Sequence, residues 1–309
     1  MRTERAQFYS DGSLVRALWR TPDEPAGPVP AIVQGPGWLG LKDARDYVRY
    51  HEGLTAAGFG VLCIDYRGFG DSEGGPPVVR PLAQVEDLRN AVVYLTTRDD
   101  VQPEAIGAYA TGGTGGANVV VLAALEPRIR AVVSQVPVAD GRDWLHRMRT
   151  EWEWHEFLAA VEADRRERAL HGTGREVEPR EEIMIQTPER RQTTFKKDVD
   201  RKVTAKVPLA SVDAVLSYRP VDYAGQVRAA VLVIAVEDDA VTPADHAEAI
   251  YAAVAGPKKL IVQRHTSHYA AYAQYAEQVI PEIVAWFERY LVPPGDFIVR
   301  SAAGLAEQA

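Results

Sequence analysis

The stretch "AIGAYATGGTGGAN", Ala105 to Asn118, decides the fold. The apolar run "AIGAYA" reads as a buried strand, the glycines after it as a tight turn, and "GGANVVVLAALE" as a helix. A strand that runs through a glycine turn straight into a helix is the local geometry with which α/β enzymes present a reactive group at a sheet edge.

The chain on either side repeats the same alternation. "AQFYS" and "SLVRALWR" flank Asp11-Gly12, a hairpin turn signal. "PAIVQG" and "VLCIDY" are strands separated by the helical stretch "DARDYVRYHEGLTAAGFG". "PLAQVEDLRNAVVYLTTR" is an amphipathic helix and "IRAVVSQVP" a further strand. After a long interruption come "AAVLVIAVE", "PADHAEAIYAAVAG", "KKLIVQ" and the final helix "YAQYAEQVIPEIVAWFERYL". Such alternation predicts an α/β fold with a mostly parallel, eight-stranded sheet flanked by helices. The interruption, 139–225, is charged and aromatic. It contains the long helical stretch "DWLHRMRTEWEWHEFLAAVEADRRERAL" and a run without sustained period, of which "PERRQTTFKKDVDRK" reads as a solvated or mobile face. Because sheet elements flank it on both sides, 139–225 is expected to be an inserted helical cap, or lid, on a core domain formed by 1–138 and 226–309.

A length of 309 residues suits one large α/β domain with an insertion. A formal net charge of -8 at pH 7 argues against a polyanionic partner, so nucleic acid is not expected. The single cysteine, Cys63, excludes an intramolecular disulfide and lies in an apolar strand, where a buried thiol is expected. The first residues, "MRTERAQFYSDG", have no apolar h-region and no stretch has the length of a membrane span, so a cytoplasmic protein is expected. The expected partner is a small-molecule substrate. No cofactor or metal site is expected, and a homodimer is compatible with the sequence.

Three chemical elements fall at C-terminal ends of expected strands, where open α/β sheets hold their ligands. The first is the register Ala110-Thr111-Gly112-Gly113-Thr114, with Gly115 and Gly116 allowing close helix packing. The second is "AVEDDAVTP", in which Asp239 stands four residues before Pro243, ahead of the alternatives Asp238 and Glu237. The third is "QRHTSHYAAY", in which His268 precedes Tyr269 and Tyr272, ahead of His265. With "IVQGPGWLGLKD" after the third strand, these elements resemble the oxyanion loop, nucleophile elbow, acid and histidine of the α/β-hydrolase superfamily. The likeness is greatest to its dienelactone-hydrolase-like and X-prolyl-peptidase-like branches. The resemblance implies His268 and Asp239 as a catalytic pair, and Trp38 and Gly113 as donors of oxyanion N–H groups. "CIDYRGFGDSEG", around Asp65, Arg67, Gly68 and Gly70, matches another superfamily signature and is read as structural.

The resemblance also places Gly112 where the nucleophilic serine belongs. Removing that serine costs such an enzyme about a millionfold in turnover. The literal pattern G-x-[ST]-x-G fits Gly112 to Gly116 with Thr114 as nucleophile, but this shifts the elbow two residues into the helix; Thr111 would place Tyr109 at a position that must be small. The expected chemistry is therefore non-covalent. His268, oriented by Asp239, acts as a general base on water or on an acidic proton of a small, partly apolar carbonyl compound. Hydrolysis, C–C cleavage, elimination, decarboxylation and cyclisation all remain open. The alternatives are a ligand-binding pseudoenzyme, a hydrolase using Thr114, and a hydrolase deliberately inactivated by a Ser-to-Gly exchange. In "EWEWHEF", Trp152, His155 and Phe157 fall near one helix face and are candidates for an aromatic lid over the substrate, against simple packing of the insertion.

Overall fold

The computed structural model describes residues 1–192 and 206–292. Its main sheet has eight strands in the order β1-β2-β4-β3-β5-β6-β9-β10. These are β1 (Arg2–Ser10), β2 (Ser13–Thr21), β3 (Val29–Gln34), β4 (Gly60–Ile64), β5 (Val101–Thr111), β6 (Ile129–Gln135), β9 (Ala230–Val236) and β10 (Lys258–Gln263). β1 pairs antiparallel with β2, and β2 antiparallel with β4; every other pairing is parallel. The hairpin turns at Asp11 (φ 47°) and Gly12 (φ 76°), the residue types that tolerate successive positive φ angles.

The central strands are apolar without alternation because both sheet faces are covered. On one face α2 (Pro81–Thr96), α3 (Gly113–Leu125) and the helix Ala244–Ala253 share a core with β5, β6 and β9. On the other, α1 (Arg45–Ala56) and the helix Ala276–Leu291 pack around Ile32, Phe59 and Tyr109. Helix α3 is buried all round from Gly113 to Ala123. Gly115 and Gly116 permit this, since a Cβ on Gly115 would stand 2.9 Å from the Gly37 Cα and one on Gly116 2.7 Å from the Gln135 carbonyl oxygen. Cys63 is fully buried in β4, and burial pushes its thiol up to about 12.

The helices of segment 139–225 depart from the sequence expectation. The long helical stretch is two helices, α4 (Gly141–His146) and α5 (Glu151–His171), separated at Thr150. Thr150 and Glu153 form a capping box, and a local cap of this kind starts a new helix where composition alone reads as continuous. The segment continues through a two-stranded sheet of β7 (Glu176–Val177) and β8 (Val207–Pro208), a π-helical turn at Pro179–Ile183 and α6 (Pro188–Gln192). Its apolar residues Trp154, Ile183, Met184 and Val212 join the core on the α2 and α3 face. No described helix is long and apolar enough to cross a membrane.

The order of strands fixes where a ligand can enter. From β3 the chain moves to β4 on one side and then returns to β5 on the other, so the loops after β3 and β5 diverge and leave a crevice at the carboxyl end of the sheet. The loop after β3 is held from below by Asp65, at the end of β4. Its Oδ1 accepts the Lys42 backbone N–H at 2.8 Å, and its Oδ2 accepts the Lys42 Nζ at 2.6 Å and the Asp71 N–H at 3.0 Å. The Asp65 side chain is fully buried and that of Lys42 nearly so. A Cβ at Gly70 would collide with the Asp65 carboxylate, which explains the glycine there. Asp65→Ala leaves the Lys42 and Asp71 backbone N–H groups buried without their acceptor, while Lys42 Nζ keeps Asp71 Oδ2 at 2.6 Å, so the variant is expected to lower unfolding free energy by about 1–3 kcal/mol. Urea denaturation monitored by far-UV circular dichroism measures the loss.

Candidate active site

The crevice contains a cavity of about 130 Å³. Its described lining includes Trp38, Tyr47, Tyr50, Thr111, Gly112, Gly113, Trp144, Thr242, His268 and Tyr272. An apolar cavity of roughly 150 Å³ admits a benzene-sized molecule, so this one accommodates a small organic group.

β5 ends at Thr111 and α3 begins at Gly113, which leaves Gly112 alone at the turn with φ +84° and ψ 155°. That corner of backbone space is essentially open to glycine only. A Cβ at this position would lie 3.3 Å from the Gly37 Cα and 3.9 Å from the Trp38 backbone nitrogen. The turn residue therefore faces the amide of the loop after β3. Gly113, as the first residue of α3, has an N–H with no carbonyl partner inside the helix. The two amides expected to bind an oxyanion, those of Trp38 and Gly113, thus flank the same turn. The Trp38 ring lies edge-on to Trp144 with centroids 5.8 Å apart.

His268 opens the helix His268–Ala273, whose N-cap Ser267 accepts the Ala270 N–H. Its Nδ1 is 2.7 Å from Asp239 Oδ2, and both side chains are buried. Asp239 sits in the turn after β9, where Oδ1 accepts the N–H groups of Val241 at 2.7 Å and Thr242 at 2.8 Å. The Thr242 hydroxyl donates to Oδ2 at 3.0 Å. Burial pushes the Asp239 carboxyl up, but the positive charge and hydrogen bond of His268 and the two amides outweigh it, and the net shift is downward. An ionised carboxylate only accepts, so the neutral imidazole carries its proton on Nδ1 and exposes a basic Nε2. Tyr269 and Tyr272 hold the ring edge-on from two sides, with centroids 4.8 and 5.0 Å away.

The partner of Nε2 is the Tyr272 hydroxyl, at 3.1 Å. Burial and the nearby Asp239 charge push this phenol well above its ordinary value, so it remains a neutral donor to the imidazole. Sequence reasoning noted Tyr272 as a matching aromatic without assigning it a role. Its signal was available, since a residue four positions after His268 on one helix shares its face. Thr114 is buried in α3 and does not line the cavity. Thr111 does line it, yet among the described residues His268 has no hydrogen bond to a serine, threonine or cysteine other than Thr242.

Two expected substrate contacts are not brought to the site. Trp152 is 62% exposed, and His155 faces solvent, where it pairs with Glu151. Only Trp154, Val161 and Asp164 of α5 are buried, because this helix is solvated over most of its circumference and the Trp152 face is the outer one. Phe157 packs on Trp154, not on the cavity. The segment supplies Arg180, Met184 and Arg190 to the cavity wall instead. Arg190 belongs to "PERRQTTFKKDVDRK", expected to be a solvated face, but is 7% exposed; positions 193–202 of that run lie outside the described residues. Among the described residues no cluster of three or more His, Cys, Asp or Glu could hold a metal ion.

Comparison with known proteins bears on the family and the fold. The family described as X-Pro dipeptidyl-peptidase (S15 family) matches residues 11–269. A protein of Escherichia coli described as an uncharacterized 31.7 kDa protein in the traX-finO intergenic region is 28% identical over 265 residues, covering 85% of this chain and 91% of its own. Among solved structures, that of DcsB with its substrate analogue superposes with a TM-score of 0.82 at 19% identity, covering 94% of this chain and 100% of DcsB. The alpha/beta hydrolase GrgF from Penicillium sp. sh18 gives 0.78 at 19% identity, covering 95% and 100%.

Two measurements test the local physics of the site. Gly112→Ala places a Cβ in a glycine-only conformation and is expected to cost about 1–3 kcal/mol of stability by urea denaturation; an unchanged midpoint would show that the turn is unstrained. The Asp239 carboxyl titrates below its ordinary 3.8, so its stabilisation is complete above that value and is lost as pH falls through the lower folded value. Asp239→Asn should therefore flatten the decline in melting temperature below about pH 4.

Proposed function

This chain belongs to the X-Pro dipeptidyl-peptidase (S15) family and is an enzyme of the α/β-hydrolase type; from that premise we propose that it acts on a small, partly apolar carbonyl compound by non-covalent general-base catalysis. The observation that carries the reading is the His268–Asp239 pair, whose basic Nε2 meets the Tyr272 hydroxyl and not a serine, while Gly112 occupies the elbow.

The substrate carbonyl oxygen accepts the N–H groups of Trp38 and Gly113, which stabilise the negative charge that develops there. Binding displaces the Tyr272 hydroxyl from Nε2, and the imidazole then takes a proton from a water or from an acidic C–H of the substrate. Asp239 keeps the proton of the resting imidazole on Nδ1 and stabilises the imidazolium that forms. With a nucleophile absent from the elbow, proton removal and oxyanion binding are the two contributions left, and neither needs an acyl-enzyme. Segment 139–225 is assigned as a cap over the core of 1–138 and 226–309, contributing Arg180, Met184 and Arg190 to the substrate wall.

His268→Ala is expected to reduce kcat/KM by about 10²- to 10⁴-fold on any substrate found in a panel of small carbonyl compounds, with the circular dichroism unchanged. An unaffected rate sinks the proposal. Incubation with a serine-reactive fluorophosphonate should leave the intact mass of the wild-type protein unaltered, whereas an adduct mapped to Thr111 or Thr114 would establish covalent chemistry.

A further inference from the structure

The end of β5 and the side of α1 carry hydroxyl groups that the His268–Asp239 pair does not use. Thr111 and Tyr50 both line the cavity, and both are more than nine-tenths buried. They reach it from one face of the sheet. Thr111 stands beside Gln135 in the β5–β6 register, and Tyr109, two residues before Thr111, points to the same face. There the Tyr109 hydroxyl donates to Gln135 Oε1 at 3.2 Å, and the Tyr50 ring packs on that of Tyr109 with centroids 5.5 Å apart.

These groups do not satisfy one another. Burial and the Asp239 charge push the Tyr272 phenol up while the Thr111 hydroxyl opposes them, and burial pushes the Tyr50 phenol up to about 12 against the Gln135 amide. Both pairs are thus neighbours, yet neither contact completes a hydrogen bond. Thr111 Oγ1, Tyr50 Oη and Gln135 Nε2 are each buried without a partner. A buried polar atom left unmet is unfavourable, and a ligand atom that bonds it recovers the loss. The two hydroxyls can each donate and accept, and the amide nitrogen behind them donates. None of Tyr50, Thr111 and Gln135 carries a charge at neutral pH, so an anion placed among them would be desolvated without a counter-charge from the group.

We infer that Tyr50 and Thr111 form a subsite for an uncharged hydroxyl group, and that the substrate is a small hydroxylated carbonyl compound. A ligand hydroxyl both gives and takes a hydrogen bond, which matches two protein hydroxyls able to do either. Thr111 and Gly113 are two residues apart in the chain, so the subsite and the oxyanion amides lie within the span of one small molecule. The compound is held at its hydroxyl by the end of β5 and by α1, and at its carbonyl by the Trp38 and Gly113 amides. The inference rests on the cavity being the substrate site proposed above, but it is read by binding without turnover, so the two can fail separately.

The test uses phenol, toluene and benzoate, which place a hydroxyl, a methyl of similar size and an anion on the same ring, with dissociation constants for the full chain measured at pH 7 by NMR titration. Burying a hydroxyl without a partner is unfavourable, so an apolar wall would favour toluene. Phenol is instead expected to bind at least about fivefold more tightly than toluene, the lower end of what meeting one unmet buried polar group supplies. Tyr50→Phe and Thr111→Val should each abolish that preference. The two substitutions lie on a helix and on a strand end, so either one reads the subsite where the other does not fold. Toluene binding as tightly as phenol, no binding of phenol, or a preference surviving in a folded variant overturns the inference. Tighter binding of benzoate than of phenol overturns the uncharged assignment in favour of an anion. Loss of turnover in His268→Ala without a phenol preference in the wild type would sink the subsite alone and leave the proposed function standing.

Discussion

The site depends on a close approach between two stretches of backbone. The turn after β5 and the loop after β3 come so near that a Cβ on Gly37 would stand 2.6 Å from the Thr111 carbonyl oxygen, and one on Gly115 2.9 Å from the Gly37 Cα. Three glycines, 37, 112 and 115, make this contact possible. The contact brings the Trp38 and Gly113 amides to one place without any side chain between them. Strand order creates the need for it, since the two loops leave neighbouring strands in opposite directions. The absence of Cβ atoms lets them meet all the same.

Such a contact has to be held, because a loop free to move would carry its amide away from the turn at Gly112. Here the holding groups are polar and buried. Asp65 grips Lys42 through both backbone and side chain, and the Tyr47 hydroxyl accepts the Gly37 N–H at 3.3 Å. Burial pushes the Tyr47 phenol far above its ordinary value, so it does not ionise. Next to it His51, its ring tilted against Tyr47 with centroids 6.2 Å apart, is held neutral by burial and the Arg20 charge and bonds Gln34 at the end of β3. Each end of the loop is thus tied to a buried polar side chain.

How far all this could be read from residues alone differs from one part to the next. The alternation of strands and helices, and the positions of Gly112, Asp239 and His268, follow short-range rules of turn, cap and strand end. In the structure Gly112 stands between β5 and α3, Asp239 in the turn after β9, and His268 at the start of the helix after β10. Residues of 139–225 were not legible in the same way. In α5 most faces meet solvent, so no hydrophobic stripe tells Trp152 from Trp154. The buried one stacks on His146 at 4.8 Å, a neighbour that the capping box at Thr150 puts there. Arg180 and Arg190 lie on a π-helical turn and a short helix without periodicity, and a basic run reads as solvated until tertiary contacts fold it over a cavity. Tyr272 was missed for another reason: its ring matched an expected aromatic, and the role of its hydroxyl depends on what Gly112 lacks.

That last dependence links the turn to the chemistry. A serine at position 112 would carry a Cβ in a glycine-only conformation, against the Gly37 Cα, and would compete for the imidazole. With glycine there the backbone relaxes, and Nε2 finds the Tyr272 phenol, a donor whose raised pKa keeps it from ionising. The resting imidazole is thus capped by a phenol and not by a serine hydroxyl. The proton removal proposed for this site draws on that imidazole and on the Trp38 and Gly113 amides.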